Sequence, residues 1–234
     1  MTIFSRFKYV LDVWYVGECD MVQYVESGFE LMLPPFFDGI EVLKIIERAG
    51  RISYKSEGNI TEDSWRKFLT DRLSHKPPHL TVIEHGYITV KIICDRGISH
   101  ELVRHRLCSF TQESTRFCNY GKDKFGREIT VIDKSKFFNT VHVAAAWRAA
   151  MVAAEDQYMD LIDKKHPAEI ARGVLPNDLK TEIVISTNLR EWGHIFFQRT
   201  SEAAHPCMKE IMIPLHQKFQ EMFPIIYDDL SVYC

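Results

Sequence analysis

Hydrophobic residues recur at three- and four-residue spacing through much of the chain, which is the pattern of amphipathic helices. The last such stretch places Met208, Ile211 and Leu215 on one side of a helix. The pattern predicts long helices over residues 39–49, 62–74, 139–163, 189–199 and 203–222, and a shorter one from Ser99 to about Leu107. Because a proline is favoured in the first turn of a helix, a further helix is expected to begin at Pro167 and to end at Leu175-Pro176.

Alternation of β-branched residues, the pattern of strands, is confined to shorter stretches. Residues 86–94 and 180–187 alternate in this way, and residues 22–32 fit a further strand with a turn at Gly28. Residues 119–136 are polar and contain two glycines, so we expect a surface loop or hairpin there. Because strands and helices do not alternate regularly, the chain is expected to be α+β rather than a doubly wound parallel sheet.

Composition narrows the class of protein. The 234 residues, 46% hydrophobic and 26% charged, suit one domain over residues 1–234, with residues 1–20 as a candidate N-terminal extension. The net charge of −3 excludes a global basic field for nucleic acid. A membrane span is not expected, since no run of about 18 apolar residues occurs. Six cysteines without a C-x-x-C pair indicate free thiols in a reducing cytoplasm.

Basic side chains are concentrated in the stretch RHRLCSFTQESTR, residues 104–116. Three arginines and one histidine so close together repel one another unless an anion or an acidic partner neutralises them. Guanidinium groups present forks of donors that match phosphate and planar imide edges. On a helix, Glu101, Arg104 and His105 would lie near one another. The stretch fits either a pocket for a phosphorylated planar ligand or a solvated basic helix end.

A second polar cluster lies in the stretch predicted as a helix over residues 189–199. Arg190 and His194 share one face of such a helix, and Arg199 lies further along. This cluster fits either a part of a ligand site or a solvated face beside the apolar stripe of the same helix.

Other residue types capable of chemistry are scattered along the chain. His79, Glu84 and His85 are metal-ligand types, but Glu84 would point away from both histidines if the segment leads into the following strand. A polar pocket wall is therefore favoured over a metal site. Cys108 and Cys118 are either candidate nucleophiles with a histidine nearby in sequence or buried free thiols.

These clusters together resemble the flavin-dependent thymidylate synthase family. The family signature is R-H-R followed by seven residues and a serine, and Arg104-His105-Arg106 with Ser114 matches it. The resemblance covers about residues 40–225. Further family elements match in order at Arg51-Ile52-Ser53, at His79 to His85, at Arg172 with Leu175-Pro176, and at Asn188-Leu189-Arg190 with His194 and Arg199.

The resemblance implies a fold and a reaction. The fold is α+β, with a central, mainly antiparallel sheet and flanking helices. The implied enzyme is a methyltransferase that converts dUMP to dTMP, with FAD as hydride carrier, NADPH as reductant and 5,10-methylenetetrahydrofolate as carbon donor. Family members form homotetramers with active sites at subunit interfaces, so the same assembly is expected, with neither nucleic acid nor membrane as a partner.

The resemblance also implies roles for individual residues. Arg199 would contact the uracil and favour its ionisation at N3, so that C5 becomes nucleophilic without attack by a cysteine. No metal is implied. The implied dUMP contacts are Glu101, Arg104, Gln112, Glu113, Ser114, Thr115, Arg116, Arg172 and Arg199. The implied FAD contacts are Ser53, His79, Thr81, Glu84, Arg104, His105, Arg106, Gln112, Asn188, Arg190 and His194.

Three positions depart from the commoner family pattern, namely Glu101, Thr111 and Phe117. Two other functions stay open at this level. One is a non-catalytic phosphate or RNA binder that uses residues 104–116, against which the net charge of −3 counts. The other is a thymidylate synthase with Cys108 or Cys118 as nucleophile.

Overall fold

A computed structural model describes residues 22–234 of the chain. Four of the α-helices in this part begin at side-chain caps; for example, Asp38 accepts the N–H of Ile40 and Thr140 accepts the N–H of Val143. The five long predicted helices are confirmed to within a few residues. The α-helices are α1 (Gly39–Ile52), α2 (Ser64–Leu73), α3 (Arg96–Leu102), α4 (Val141–Asp163), α5 (Ala168–Ala171), α6 (Leu189–Arg199) and α7 (Pro206–Met222).

The strands form a four-stranded antiparallel sheet, in the order β2-β3-β6-β4, and a separate parallel pair of β1 with β5. Alternate residues of β3 and β6 are buried, which is the period that predicted these two strands. The α+β class with a mainly antiparallel central sheet is confirmed. The strands are β1 (Gln23–Val25), β2 (Gly28–Leu31), β3 (Tyr87–Asp95), β4 (Ser109–Gln112), β5 (Thr130–Ile132) and β6 (Lys180–Asn188).

The described residues divide into two compact units. Unit 1 contains residues 22–30, Ile92–Leu102 and Thr111–Ile183, and unit 2 contains Leu31–Lys91, Val103–Phe110 and Val184–Cys234. Strands β2, β3, β4 and β6 contribute residues to both. The single domain over residues 1–234 stays a prediction, and the candidate extension, residues 1–20, lies outside the described residues.

The core of unit 1 forms beside the long helix α4. Tyr158 of α4 is fully buried, and its hydroxyl oxygen accepts the backbone N–H of Tyr120 at 3.2 Å. Glu155, one turn earlier, is also fully buried, and its Oε1 accepts the backbone N–H of Ile129 at 2.7 Å. The buried apolar residues of this core are Val22, Tyr120, Ile129, Val131, Met151, Tyr158, Met159, Ala171 and Leu179.

Unit 2 is built around aromatic side chains from α6, α7 and the segment after α7. These rings are fully buried, and their centroids lie between 5.0 and 6.4 Å apart, mostly in tilted or edge-to-face pairs. The indole N–H of Trp192 also donates to the carbonyl of Ile88 in β3 at 3.1 Å, which ties α6 to the sheet. We call this set the aromatic cluster, and its members are Trp192, Phe196, Phe219, Phe223 and Tyr227.

Two predictions about strands need correction. The stretch 22–32 is two strands rather than one, since β1 pairs with β5 while β2 joins the four-stranded sheet. The polar stretch 119–136 contains a strand that the composition concealed. Val131 and Ile132 of β5 are buried, because tertiary contacts and not the average polarity of the stretch decide this short segment.

Two predictions about local structure near the charged motifs were also wrong. The helix expected from Ser99 to Leu107 is α3, which begins earlier because Asp95 accepts the N–H of Ile98 at 2.7 Å, and it ends at Leu102. Arg104 and His105 therefore lie in turns and not on one helix face with Glu101.

The segment expected to lead as a strand into β3 is a 3-10 helix, Leu80–His85. Its only buried side chain is that of Ile83, and the N–H of Gly86 closes the last turn on the Ile83 carbonyl. Within residues 22–234, no helix combines the length and apolarity needed to cross a bilayer.

We predict that Glu155→Gln changes the pH dependence of stability. Burial raises the pKa of the Glu155 carboxyl from 4.5 to about 7, so the folded chain holds a proton that the unfolded chain releases as the pH rises through this interval. The wild-type protein therefore loses stability between pH 4.5 and 7, by up to about 3 kcal/mol, and the variant does not.

Urea denaturation of both proteins from pH 5 to pH 8 measures this difference. The glutamine amide retains an oxygen acceptor for Ile129, and the exposed residue Asp123 of the same unit provides Asp123→Asn as a control. A difference in unfolding free energy between Glu155→Gln and wild type that stays constant with pH would contradict the prediction.

Candidate active site

The residues implied to bind flavin and those implied to bind nucleotide divide between the two units. Every flavin candidate except Gln112 lies in unit 2. Most nucleotide candidates lie in unit 1, and the exceptions are Arg104 and Arg199.

In unit 2, α6 carries three polar candidates, Arg190, His194 and Arg199, and continues directly from strand β6. Asn188, the last residue of β6, is the N-cap, and its side-chain oxygen accepts the N–H of Glu191 at 2.9 Å. The apolar side of the helix packs into the aromatic cluster. Gly193 lies so close to Tyr233 that an added Cβ would come within 2.4 Å of its ring. This close approach fixes the rotation of α6 and therefore the direction of its polar side chains.

Arg199 is held by a histidine from the R-H-R motif. Its Nε donates to Nε2 of His105 at 3.1 Å, although the two residues are 94 positions apart. His105 is buried, and its Nδ1 lies 3.6 Å from a carboxylate oxygen of Glu191, which is buried as well. The three side chains lie in the order Glu191, His105, Arg199, and the contact between His105 and Arg199 is a hydrogen bond. Sequence reasoning did not single out Glu191, because only its place on α6 brings it to the ring.

His194 is oriented in a similar way. Its Nε2 lies 3.0 Å from the side-chain nitrogen of Gln198, and its Nδ1 lies 3.3 Å from the carbonyl of Tyr233. An amide nitrogen donates, so Nε2 accepts and Nδ1 carries the proton that is given to the carbonyl. The rings of His194 and His105 meet edge to face at 5.9 Å.

The remaining cationic candidates of unit 2 are exposed. Arg190 pairs with Glu84 at 2.6 Å, and both side chains are about half exposed. Arg104 and Arg106 are exposed in the turns after α3, and neither has a hydrogen bond or an ion pair within residues 22–234. Cations without protein partners are available to an anion.

Three smaller candidates complete the unit 2 group. Ser53 is exposed at the C-terminal end of α1, and Thr81 is exposed in the 3-10 helix. The ring of His79 stacks on that of His75 at 4.6 Å between centroids. Ser53 and Thr81 are thus surface polar groups, whereas His79 is half-buried.

In unit 1, a turn after β4 brings together four nucleotide candidates. Ser114 accepts the backbone N–H of Arg116 through its Oγ at 3.3 Å. The guanidinium of Arg116 pairs with Glu169 of α5 at 2.9 Å, and that of Arg172 donates to the hydroxyl of Thr115 at 3.4 Å. The turn and the segment after α4 thus place two guanidinium groups beside two hydroxyls, which suits a phosphate.

Two neighbouring candidates are held by hydrogen bonds within the same unit. Glu113 accepts the Tyr120 hydroxyl at 2.8 Å and lies 3.4 Å from the Lys180 ammonium. The amide nitrogen of Gln112 donates to the hydroxyls of Ser99 at 2.9 Å and Thr181 at 3.2 Å. The amide oxygen of Gln112 is therefore the atom left to meet a ligand. Glu101 lies half-buried on α3.

A family model described as thymidylate synthase complementing protein matches residues 40–225. The chain belongs to this family. The expected extent of the resemblance is confirmed, and with it the class of enzyme, a methyltransferase.

Named relatives agree with this assignment. A flavin-dependent thymidylate synthase of Geobacter sulfurreducens is 33% identical over 157 residues, which cover 67% of this chain and 66% of the relative. One from Thermococcus kodakarensis is 32% identical over 193 residues, covering 79% and 78%. A solved structure of a UMP/dUMP methylase, PolB from Streptomyces cacaoi bound with 5-Br dUMP, shares the fold with a TM-score of 0.70 at 20% identity, covering 91% of this chain and 96% of that one.

Two of the described cysteines, Cys94 and Cys108, are poorly suited to nucleophilic attack. Burial raises the pKa of the Cys108 thiol to about 11 and that of Cys94 to about 12, so neither forms a thiolate readily near neutral pH. The five cysteines among residues 22–234 are all free, and Cys19 lies outside the described residues. In the same part of the chain, no group of three or more metal-ligating side chains is assembled.

Phe117 departs from the family pattern at an exposed position. Its ring is 76% exposed, and the guanidinium carbon of Arg116 lies 5.3 Å from the ring centroid. The ring therefore supports Arg116 through a cation–π contact, which needs no phenol hydroxyl.

We predict that the Glu84–Arg190 pair contributes little to stability. Both side chains are about half exposed, so Glu84→Gln should lower the free energy of unfolding by less than about 1 kcal/mol. Glu47 of the same unit provides the contrast, since it is 1% exposed and binds Arg51 at 2.7 Å and Ser64 at 2.9 Å. Glu47→Gln should cost about 3 kcal/mol.

Urea denaturation of the two variants at one pH compares these costs directly. If Glu84→Gln and Glu47→Gln lose the same free energy of unfolding, the exposed pair is a structural element and not a surface available to a ligand.

Proposed function

We propose that the protein catalyses the reductive methylation of dUMP to dTMP, with FAD as hydride carrier, NADPH as reductant and 5,10-methylenetetrahydrofolate as carbon donor. The observation that carries the proposal is the bond between Arg199 and His105. It fixes a guanidinium in the unit that also contains nearly all the flavin candidates. The relatives named flavin-dependent thymidylate synthase and the neighbour bound with 5-Br dUMP support the same reaction and substrate.

Arg199 would act on the uracil through its positive charge. Ionisation at N3 spreads negative charge over the ring and makes C5 nucleophilic, and a guanidinium that is already in place stabilises that charge. The bond to His105 uses the Nε of Arg199 and so holds the guanidinium by one side-chain contact. The raised pKa of Cys108 supports a route without cysteine attack on the base.

The residues of unit 2 fit a flavin dinucleotide. A pyrophosphate requires cations without protein partners, and Arg104 and Arg106 are exposed without partners in the described part of the chain. Arg190, with its half-exposed pair Glu84, and the oriented ring of His194 supply further donors. When bound, FAD supplies the hydride that converts the one-carbon unit to a methyl group.

The turn of unit 1 would hold the nucleotide. Arg116 and Arg172 supply guanidinium groups for the phosphate, and Ser114 and Thr115 supply hydroxyls. Glu169 pairs with Arg116 in the absence of ligand and would give way to a phosphate. We propose a homotetramer in which subunits complete each site, as the family resemblance implies.

Release of tritium from 5-tritiated dUMP tests the reaction. The purified protein should be yellow or take up FAD, and should release tritium when it receives NADPH and methylenetetrahydrofolate. A protein that stays colourless in the presence of FAD and releases no tritium would contradict the proposal.

We predict that Arg199→Ala lowers kcat for tritium release by about 10²- to 10³-fold, because it removes the charge that stabilises the ionised uracil. Cys108→Ala and Cys118→Ala should each retain most of the activity and are the controls for a cysteine nucleophile. An active Arg199→Ala enzyme, or the loss of turnover in either cysteine variant, would overturn the assignment.

A polynucleotide-binding role is the other candidate for residues 104–116, and the two uncompensated arginines within them favour it to the same degree as flavin. It predicts affinity for RNA that falls steeply with salt. In a filter-binding competition, we expect dUMP to bind and RNA to compete only weakly. RNA that binds more tightly than dUMP would favour the alternative.

A further inference from the structure

The protonation of His105 can be deduced from its neighbours. The Nε of arginine carries a hydrogen at all accessible pH values and can only donate. Arg199 Nε lies 3.1 Å from Nε2 of His105, so this ring nitrogen must offer a lone pair. A neutral imidazole with a lone pair on Nε2 carries its proton on Nδ1. A doubly protonated ring would direct a second N–H at the guanidinium and break the contact.

The Nδ1 proton needs an acceptor, and Glu191 is the acceptor that faces it. The carboxylate oxygen lies 3.6 Å from Nδ1, so a shift of a few tenths of an ångström completes a hydrogen bond. Both side chains are buried, at 4% and 9% exposure, where water does not replace a missing partner. The titratable groups near the ring come from two places: Glu191, His194 and Arg199 lie on α6, and Cys108, which interacts with Glu191, lies in the segment that follows the R-H-R motif.

We propose that Glu191 is a positioning residue, which holds His105 in the Nδ1-protonated form and thereby holds Arg199 in place for the uracil. Glu191 itself touches no substrate in this account. The kinetic part of the inference rests on the proposed function, whereas the position of the proton does not.

The alternative is that Glu191 only stabilises helix α6 and does not position His105. Glutamate at the third position of a helix commonly caps the N-terminus with its side chain. Here the cap is made by the side chain of Asn188 on the N–H of Glu191, and the carboxylate is directed at His105 instead. A role in helix stability would leave the histidine proton and the arginine contact unchanged.

Neutron diffraction from deuterium-exchanged crystals of the wild-type protein tests the proton directly. We expect deuterium on Nδ1 of His105 and none on Nε2. Deuterium on Nε2 would overturn the proposal. Because this measurement needs no turnover, its failure is distinct from a failure of the proposed reaction.

Two substitutions test the consequence for Arg199. Glu191→Met removes the acceptor while it keeps the length of the side chain, and Glu191→Gln keeps an oxygen acceptor. We expect the crystal structure of Glu191→Met to show the Arg199–His105 contact broken and that of Glu191→Gln to show it retained. An unchanged contact in Glu191→Met would overturn the proposal. If Glu191→Met does not fold, the neutron structure of the wild-type protein and the crystal structure of Glu191→Gln still test the proposal.

Measurements of kcat then show whether the loss of the Glu191 carboxylate lowers activity through the position of Arg199. Glu191→Met should lower kcat for tritium release by about 10- to 100-fold, as loss of an orienting partner does at other sites. In an Arg199→Lys background the same substitution should cost much less, because the residue that it positions is already altered. Glu202→Met, at an exposed position just after α6, is the control and should leave kcat unchanged. Equal losses in both backgrounds would indicate a structural role and overturn the proposal.

Discussion

Helix α6 can present its polar side chains in fixed directions because its opposite side is buried among aromatic rings. Trp192 and Phe196 pack against Phe219 and Tyr227, and the hydroxyl of Tyr227 donates to the carbonyl of Leu189 at 2.8 Å. The close approach of Gly193 to Tyr233 leaves no room for rotation about the helix axis. Everything proposed for Arg199, Glu191 and His194 depends on this packing, since each side chain acts at a distance of a few ångströms from its partner.

The charged residues of this chain are of two kinds, which differ in burial and in whether they have a partner of opposite charge. Charges that support the fold are buried and paired, as Glu47 is with Arg51. Several charges of the candidate site are exposed, and Arg104 and Arg106 lack partners within residues 22–234. Like charges left exposed and close together contribute nothing favourable to folding, which is why their presence points to a ligand that carries the opposite charge.

The sequence predicted the long helices and strands β3 and β6, because each is decided by a hydrophobic period that one buried face imposes. It did not predict the extent of α3, where a single buried carboxylate, Asp95, sets the first turn. Nor did it reveal β5, whose burial depends on a parallel partner about a hundred residues earlier in the chain.

The candidate site was predictable in part. The motif residues and their order were visible from the resemblance to the family, and the family match confirms that resemblance. The contact between His105 and Arg199 was not visible, because 94 residues separate them and only the fold brings them together. Glu191 and Glu169 escaped notice for the same reason, since each belongs to no motif and acquires its importance from a neighbour distant in sequence.

The central claim is that Arg199, and not a cysteine, activates the uracil. A crystal structure with FAD and dUMP bound measures this most directly. We expect an Nη atom of Arg199 within about 3 Å of the uracil edge at N3, with His105 still bound to the Nε of Arg199. A uracil whose C6 lies against the sulfur of Cys108 or Cys118, with Arg199 turned away from the base, would contradict it.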